Sequence, residues 1–247
     1  DKLRGFTPQN GLTPVCFGLD ASCPFHAEQV TSRGLKGTDV HIVTPVSSFD
    51  THISIPGRHM VYNALAAAAV GYALGLTDEE IAQGIASNVP IAGRNNLIEG
   101  KCYTVIDDCY NANPASMKSS LDVLAYADTR TAAVLGDMFE LGADEKKMHY
   151  NVGVHAAEKG IDVLICIGAL SAEIARGARE TEALKSAGGA ESANKSQTGC
   201  MEIYHYKTKS EFFENADNVL RKGDTILVKA SHGMEFPEIV ERLSKKE

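Results

Sequence analysis

An acid pair, a phenol and two carboxamides follow one another in Asp107-Asp108-Cys109-Tyr110-Asn111-Ala112-Asn113-Pro114, directly after the apolar run Tyr103-Thr104-Val105-Ile106. Carboxylates accept hydrogen bonds, and carboxamides both accept and donate. A cluster of this kind between a strand and a helix is either a turn and helix cap or a ligand site, and one segment can be both. Two further polar clusters follow apolar runs: Gly136-Asp137-Met138-Phe139-Glu140-Leu141-Gly142, and Lys229-Ala230-Ser231-His232-Gly233-Met234. Lys229 either snorkels to solvent or belongs to a tight loop whose amides, with Ser231, hold a carboxylate. Arg94 solvates a linker or presents a forked donor to a phosphate once two domains close. Asn63 stands in a helix otherwise made of Ala, Leu and Val. Its carboxamide must bond a neighbouring loop or read a ligand edge, such as adenine, that offers both donor and acceptor.

These residues need elements to hold them. His41 to Thr44 and Thr51 to Ile55 are β-rich runs joined by a polar turn at Ser47-Ser48, in a first segment of 56 residues that reads as strand. From Arg58 to Leu76 small and apolar residues recur at helical spacing on more than one face, which predicts a buried helix. Thr77-Asp78-Glu79-Glu80 is a capping box that opens a second helix to about Asn88. Pro90 and Gly93 then punctuate the chain, so a boundary and hinge are expected there, with domains at 1–92 and 93–247. Beyond it, strand patterns near 103–107, 131–136, 162–168, 202–206 and 224–230 alternate with helical stretches. The expected fold is α/β: a Rossmann-like second domain with a mostly parallel sheet covered on both faces, preceded by a smaller β-rich and helical part. The three polar clusters fall at carboxyl ends of strands, where such sheets bind ligands. Residues Lys185 to Gly199 carry no usable periodicity and read as a mobile surface loop.

Composition removes several classes. With 24 basic against 32 acidic residues and a net charge of −8, no basic stripe suits a nucleic acid. The Ala-rich run from Ala64 to Leu76 is broken by Gly71 and Gly75 and falls short of the roughly 18 apolar residues of a membrane helix. No signal peptide opens the sequence. The six cysteines have no metal-ligand spacing and are expected to be reduced thiols in a cytoplasmic protein. His59, His149 and His155 lack the helical spacing of metal ligands, and His149 is either packed or solvent-facing. Neither a GxGxxG dinucleotide turn nor a GxxxxGK[ST] phosphate loop is present.

Taken together, PGRHMVYNALAAAA from Pro56, GRNN from Gly93, DDCYNANPASM from Asp107, LGDMFELG from Leu135 and VKASHGM from Val228 resemble the Mur ligases of peptidoglycan synthesis. The pair YNANPxSM and LGDMxELG is similar to the branch that adds a D-Ala-D-Ala dipeptide to a UDP-N-acetylmuramoyl-tripeptide, and unlike the diaminopimelate-adding ligases and folylpolyglutamate synthases. The resemblance covers nearly the whole chain. It implies residues 1–92 as the last part of a central ATP-binding domain and residues 93–247 as the C-terminal domain. It implies ATP and Mg2+ as cofactors, the tripeptide nucleotide and the dipeptide as partners, and a monomer. By this resemblance Asn63 faces adenine, Arg94 the phosphates and Asp108 the ribose, with Tyr110, Asn111 and Asn113 shaping the site. Asp137, Lys229 and Ser231 border the dipeptide pocket. Asp108→Ala and Lys229→Ala are therefore expected to impair different substrates.

Family members phosphorylate a carboxylate to an acyl phosphate that the amine attacks, in a site closed to water and with no covalent enzyme nucleophile. Two departures stand out. The family's phosphate loop, metal ligands and modified lysine precede Asp1, so the chain reads as a fragment inactive by itself. His232 also replaces the usual arginine. The alternative is a non-catalytic nucleotide- or peptide-binding module, which an upstream GTxGKT-like loop would exclude.

Overall fold

The computed structural model describes residue 11 and residues 13–188 and 200–246. The chain divides into two compact units, Asp1–Val89 and Pro90–Glu247.

In the first unit β1 (Phe17–Gly18), β2 (Phe25–Ser32), β3 (Thr38–Val43) and β4 (Ser48–Ile53) form a sheet in that order. The β3–β4 hairpin pairs Ile42 with Phe49 and Val40 with Thr51, and the turn is closed by Thr44 and Ser47. Two helices follow, α1 (Met60–Ala73) and α2 (Asp78–Ala86). The Thr77 box is formed from both sides: the Thr77 hydroxyl accepts from the Glu80 amide, and the Glu80 carboxylate accepts from the Thr77 amide. Val61, Leu65 and Ala68 of α1 pack with Val40, Ile42 and Ile53 of the sheet and with Ile81 and Ile85 of α2. The expectation of a buried α1 holds for that side alone. Its opposite side carries Val70 and Leu74, 60% and 74% exposed, so apolar residues on several faces do not here mean burial on all of them.

The second unit holds a six-stranded sheet in the order β5 (Asn96–Glu99), β6 (Thr104–Asp107), β10 (Thr225–Lys229), β7 (Thr131–Gly136), β8 (Val163–Ile167) and β9 (Glu202–Tyr206). All pairings are parallel except β5 with β6. The antiparallel β5 has no counterpart in the sequence reading, because Asn96-Leu97-Ile98-Glu99 is too short to show a period. The last strand, β10, inserts between β6 and β7, with Ile226 opposite both Val105 and Ala132. That insertion makes the carboxyl ends of β6, β10 and β7 neighbours.

Five helices alternate with these strands: α3 (Pro114–Leu124), α4 (Glu145–Glu158), α5 (Ser171–Gly188), α6 (Lys209–Val219) and α7 (Pro237–Ser244). Val105, Val134, Ile165, Ile226 and Val228 pack with Phe212 of α6 and with Phe236, Ile239 and Leu243 around α7. Their alternates Ile106, Leu135, Leu164 and Leu227 are equally buried, as near-continuous apolar strands covered on both faces require. Helix α5 runs through Lys185 to Gly188, which corrects the start of the expected loop. The rest of that loop, residues 189–199, lies outside the described residues, as does most of the segment before residue 13.

Candidate functional site

The acid pair at the end of β6 divides its labour because successive strand residues face opposite ways. Asp107 is 6% exposed and turns inward: its carboxylate accepts the amide of Gly93 at 2.7 Å and the Cys109 thiol at 2.9 Å. Gly93 also receives the Tyr110 amide on its carbonyl, with φ +77° and Tyr110 about 3.1 Å from where a Cβ would stand. The expected hinge glycine is thus bonded into the second unit, and Arg94 is carried by that unit. In the sequence only the alternation of Asp107 with Asp108 marks this inward role.

Asp108 faces the neighbouring strand. Its Oδ1 accepts the Asn95 amide at 3.0 Å; its Oδ2 accepts the Ser120 hydroxyl of α3 at 2.5 Å and the Lys229 ammonium at 2.6 Å. Lys229 is 2% exposed and also donates to the carbonyls of Asn111 and Asp108, at 3.0 and 3.2 Å. One reading of Lys229 from the sequence is corrected here: it does not snorkel to solvent. An ammonium buried this deeply needs a counter-charge and acceptors for its three N–H bonds, and the Asp108 loop supplies them. Asp108 and Lys229 form one ion pair, which links two positions that the sequence reading gave to different substrates.

The remaining loops are tied in the same manner. Asp137, after β7, accepts the amides of Ala169 and Ser171 at 3.1 and 2.7 Å, a carboxylate at the amino end of α5, where the helix dipole favours it. Gly168 has φ +123°, and any Cβ there would lie 2.4 Å from the Asp137 carboxylate. Ser231 joins the loops after β7 and β10: its amide donates to the Asp137 carbonyl and its hydroxyl accepts the Phe139 amide. His149 of α4 is fully buried. Its Nε2 accepts the Met138 amide at 2.8 Å, so Nδ1 carries the proton and donates to the Glu145 carbonyl at 2.7 Å. The structure thereby decides for the packed reading of His149. Asn113 caps α3, accepting the Ser116 amide, and Asn111 accepts the amide of Ala112.

What faces outward is smaller. Tyr110 is 52% exposed, with the Arg94 guanidinium 4.2 Å from its ring centroid and the exposed His232 ring 5.8 Å away. Phe139 is exposed beside Gly233. Phe139 and His232 lie within two of the polar clusters read from the sequence, but only the fold brings His232 beside Tyr110 and Phe139 beside Gly233. A stacked, exposed guanidinium and an aromatic face fit a phosphate and a planar ring. Among the described residues no three His, Cys, Asp or Glu side chains gather as metal ligands. In the first unit Asn63 is exposed, donates to the Met60 thioether at 3.4 Å, and lines a groove between α1 and α2 with Ala67, Gly84 and Asn88. It bonds no neighbouring loop among the described residues.

All six cysteines are free thiols. Burial, reinforced at Cys109 by the Asp107 carboxylate, pushes Cys109 and Cys166 far above the ordinary thiol range. No described helix is long and apolar enough to cross a membrane.

The family description "Mur ligase, glutamate ligase domain" matches residues 93–232. The UDP-N-acetylmuramoyl-tripeptide--D-alanyl-D-alanine ligase of Escherichia coli is 32% identical over 219 residues, which are 87% of this chain and 43% of that protein. A crystal structure of MurF from Acinetobacter baumannii superposes with a TM-score of 0.77 at 25% identity, covering 93% of this chain and 47% of that one. A MurF ligase from Thermotoga maritima in complex with ADP shares the fold, with a TM-score of 0.71 at 21% identity over 92% of this chain and 47% of that one. The chain spans somewhat less than half the length of these relatives.

Proposed function

The chain belongs to the Mur ligase family, and from that premise we propose that it is the C-terminal portion of an ATP-dependent ligase. The reaction joins D-alanyl-D-alanine to a UDP-N-acetylmuramoyl-tripeptide in peptidoglycan synthesis, in the cytoplasm. The observation that carries the substrate reading is the match of 87% of this chain to the E. coli enzyme of that name. Residues 1–92 are read as the end of the ATP-binding domain and residues 93–247 as the C-terminal domain.

Arg94, Asp108, Tyr110 and Asn111, with Asn63 from the first unit, are assigned to the nucleotide. The exposed guanidinium supports this, since its fork matches phosphate oxygens. The loops that carry Asn113, Asp137, Lys229 and Ser231 are assigned to the dipeptide side. Their mutual hydrogen bonds support the assignment by giving a rigid wall against which a small amine could be oriented. ATP supplies the phosphoryl group that converts the tripeptide carboxylate to an acyl phosphate for the dipeptide amine to attack. Mg2+ is assigned to residues outside this chain.

Ligation assays on a ligase of the relatives' length carrying this chain test the reading. Product should form with D-Ala-D-Ala and not with D-Glu or diaminopimelate. Arg94→Ala should raise the KM for ATP about tenfold, the value of one charged hydrogen bond, with little change in the KM for dipeptide. ATP binding without peptide-bond formation would point instead to a binding module.

A further inference from the structure

We propose that Lys229 is a positioning residue that sets the nucleotide loop from beneath and touches neither substrate. The role given to the loop rests on the ligase reading; the clamp itself does not. An ammonium has three N–H donors. Those of Lys229 meet the Asp108 carboxylate at 2.6 Å, the Asn111 carbonyl at 3.0 Å and the Asp108 carbonyl at 3.2 Å. With the side chain 2% exposed, no donor is left for a ligand carboxylate.

The two carbonyls are three residues apart and flank Cys109 and Tyr110, so the backbone turns around the ammonium. The Tyr110 amide, held on the Gly93 carbonyl, lies within that turn, and the Tyr110 ring carries Arg94. Lys229 stands at the end of the central strand β10, whose parallel pairing with β6 fixes its stem opposite the loop it holds. Position therefore passes from the sheet through Lys229 to the loop, and from the loop to the exposed Tyr110 and Arg94. Loss of the ammonium should loosen the nucleotide side of the site, although Lys229 belongs by sequence to the other loop.

Two measurements test this. Amide hydrogen exchange on the 247-residue chain without substrates should show Tyr110 and Ala112 exchanging about tenfold faster in Lys229→Met, with the β6 and β10 ladders unchanged. Steady-state kinetics in the longer ligase should show KM for ATP rising about tenfold in Lys229→Met and in Asp108→Asn, and no further in the double variant. The dipeptide KM should stay within about twofold, and Lys229→Arg should recover part of the loss. Where Lys229→Met does not fold, Asp108→Asn serves in both experiments, because it weakens the same clamp while keeping its shape.

Unchanged exchange at Tyr110 and Ala112, or a rise in the dipeptide KM alone, overturns the proposal and returns Lys229 to ligand contact. Additive effects in the double variant overturn it equally. Since hydrogen exchange needs no substrate, it tests the clamp even where the ligase reading fails.

Discussion

Buried polar side chains in this protein act mainly on its own backbone. His149 illustrates the cost of that arrangement, since it accepts the Met138 amide from within the core. His149→Ala leaves that amide without its acceptor and opens a cavity, and should lower unfolding free energy by about 2–4 kcal/mol in urea titrations. Thiol chemistry gives a second check at the same scale. Cys16 and Cys200 are exposed, whereas Cys109 and Cys166 are buried with thiols held in the protonated form. A colorimetric thiol assay at pH 8 should therefore label the exposed pair readily and reach Cys109 and Cys166 only after denaturation. Rapid labelling of Cys109 in the native protein would contradict its packing against Asp107.

At the scale of elements, the amino ends of the strands are held by a charged clasp distant from the candidate site. Arg130, before β7, pairs with Asp224 before β10 and Glu202 of β9, each at 2.9 Å. Burial raises the Asp224 carboxyl above its ordinary value despite the Arg221 amide and Arg130. The folded state thus holds a proton that the unfolded state releases, so this group's contribution falls as pH rises from about 3.8 through its folded value. Glu202 behaves oppositely: the Tyr204 hydroxyl, then Arg130, hold it below the ordinary range. Its contribution is complete above the unfolded value and is lost as pH falls through the folded one. Arg130→Met strands the Asp224 carboxylate and should cost about 3 kcal/mol at pH 7. The deficit should shrink toward pH 4 as Asp224 takes a proton. A deficit that stays constant or grows on acidification would mean that neither the Asp224 nor the Glu202 charge accounts for the clasp. The capping box gives a smaller effect: Thr77→Ala should cost about 1 kcal/mol, seen as a lower midpoint for the first unit.

For the whole molecule, residues 90–247 form a unit with their own sheet, helices and core. A chain of those residues should unfold in one cooperative transition, followed by circular dichroism in urea. Starting at residue 95 should lower the midpoint, because it removes Gly93, whose amide and carbonyl bond Asp107 and Tyr110. Equal midpoints for the two chains would return Gly93 to the role of a free hinge.

The sequence by itself determined the alternation of strands and helices in the second unit, the Thr77 box and the start of α3 at Pro114. These are written in local terms, as runs of apolar residues, caps within three residues and a proline at a first turn, so a short window contains the cause. It also placed the polar clusters at the carboxyl ends of strands, because strand limits are local as well. Which of those polar groups face outward was decided only by the tertiary structure. Lys229 lies 121 residues from Asp108, and Ser231 lies 92 from Phe139; each pair meets because β10 enters between β6 and β7. Strand order is a property of the closed sheet, and no window of sequence contains it. The ammonium and carboxylates that look alike as exposed site residues in the sequence are therefore separated by burial: Asp107 and Asp137 turn inward to backbone amides and Lys229 to Asp108 and two carbonyls, and Arg94, Tyr110 and His232 remain at the surface. A charge removed from water must find its partners inside, and only the packed fold says which partners are within reach.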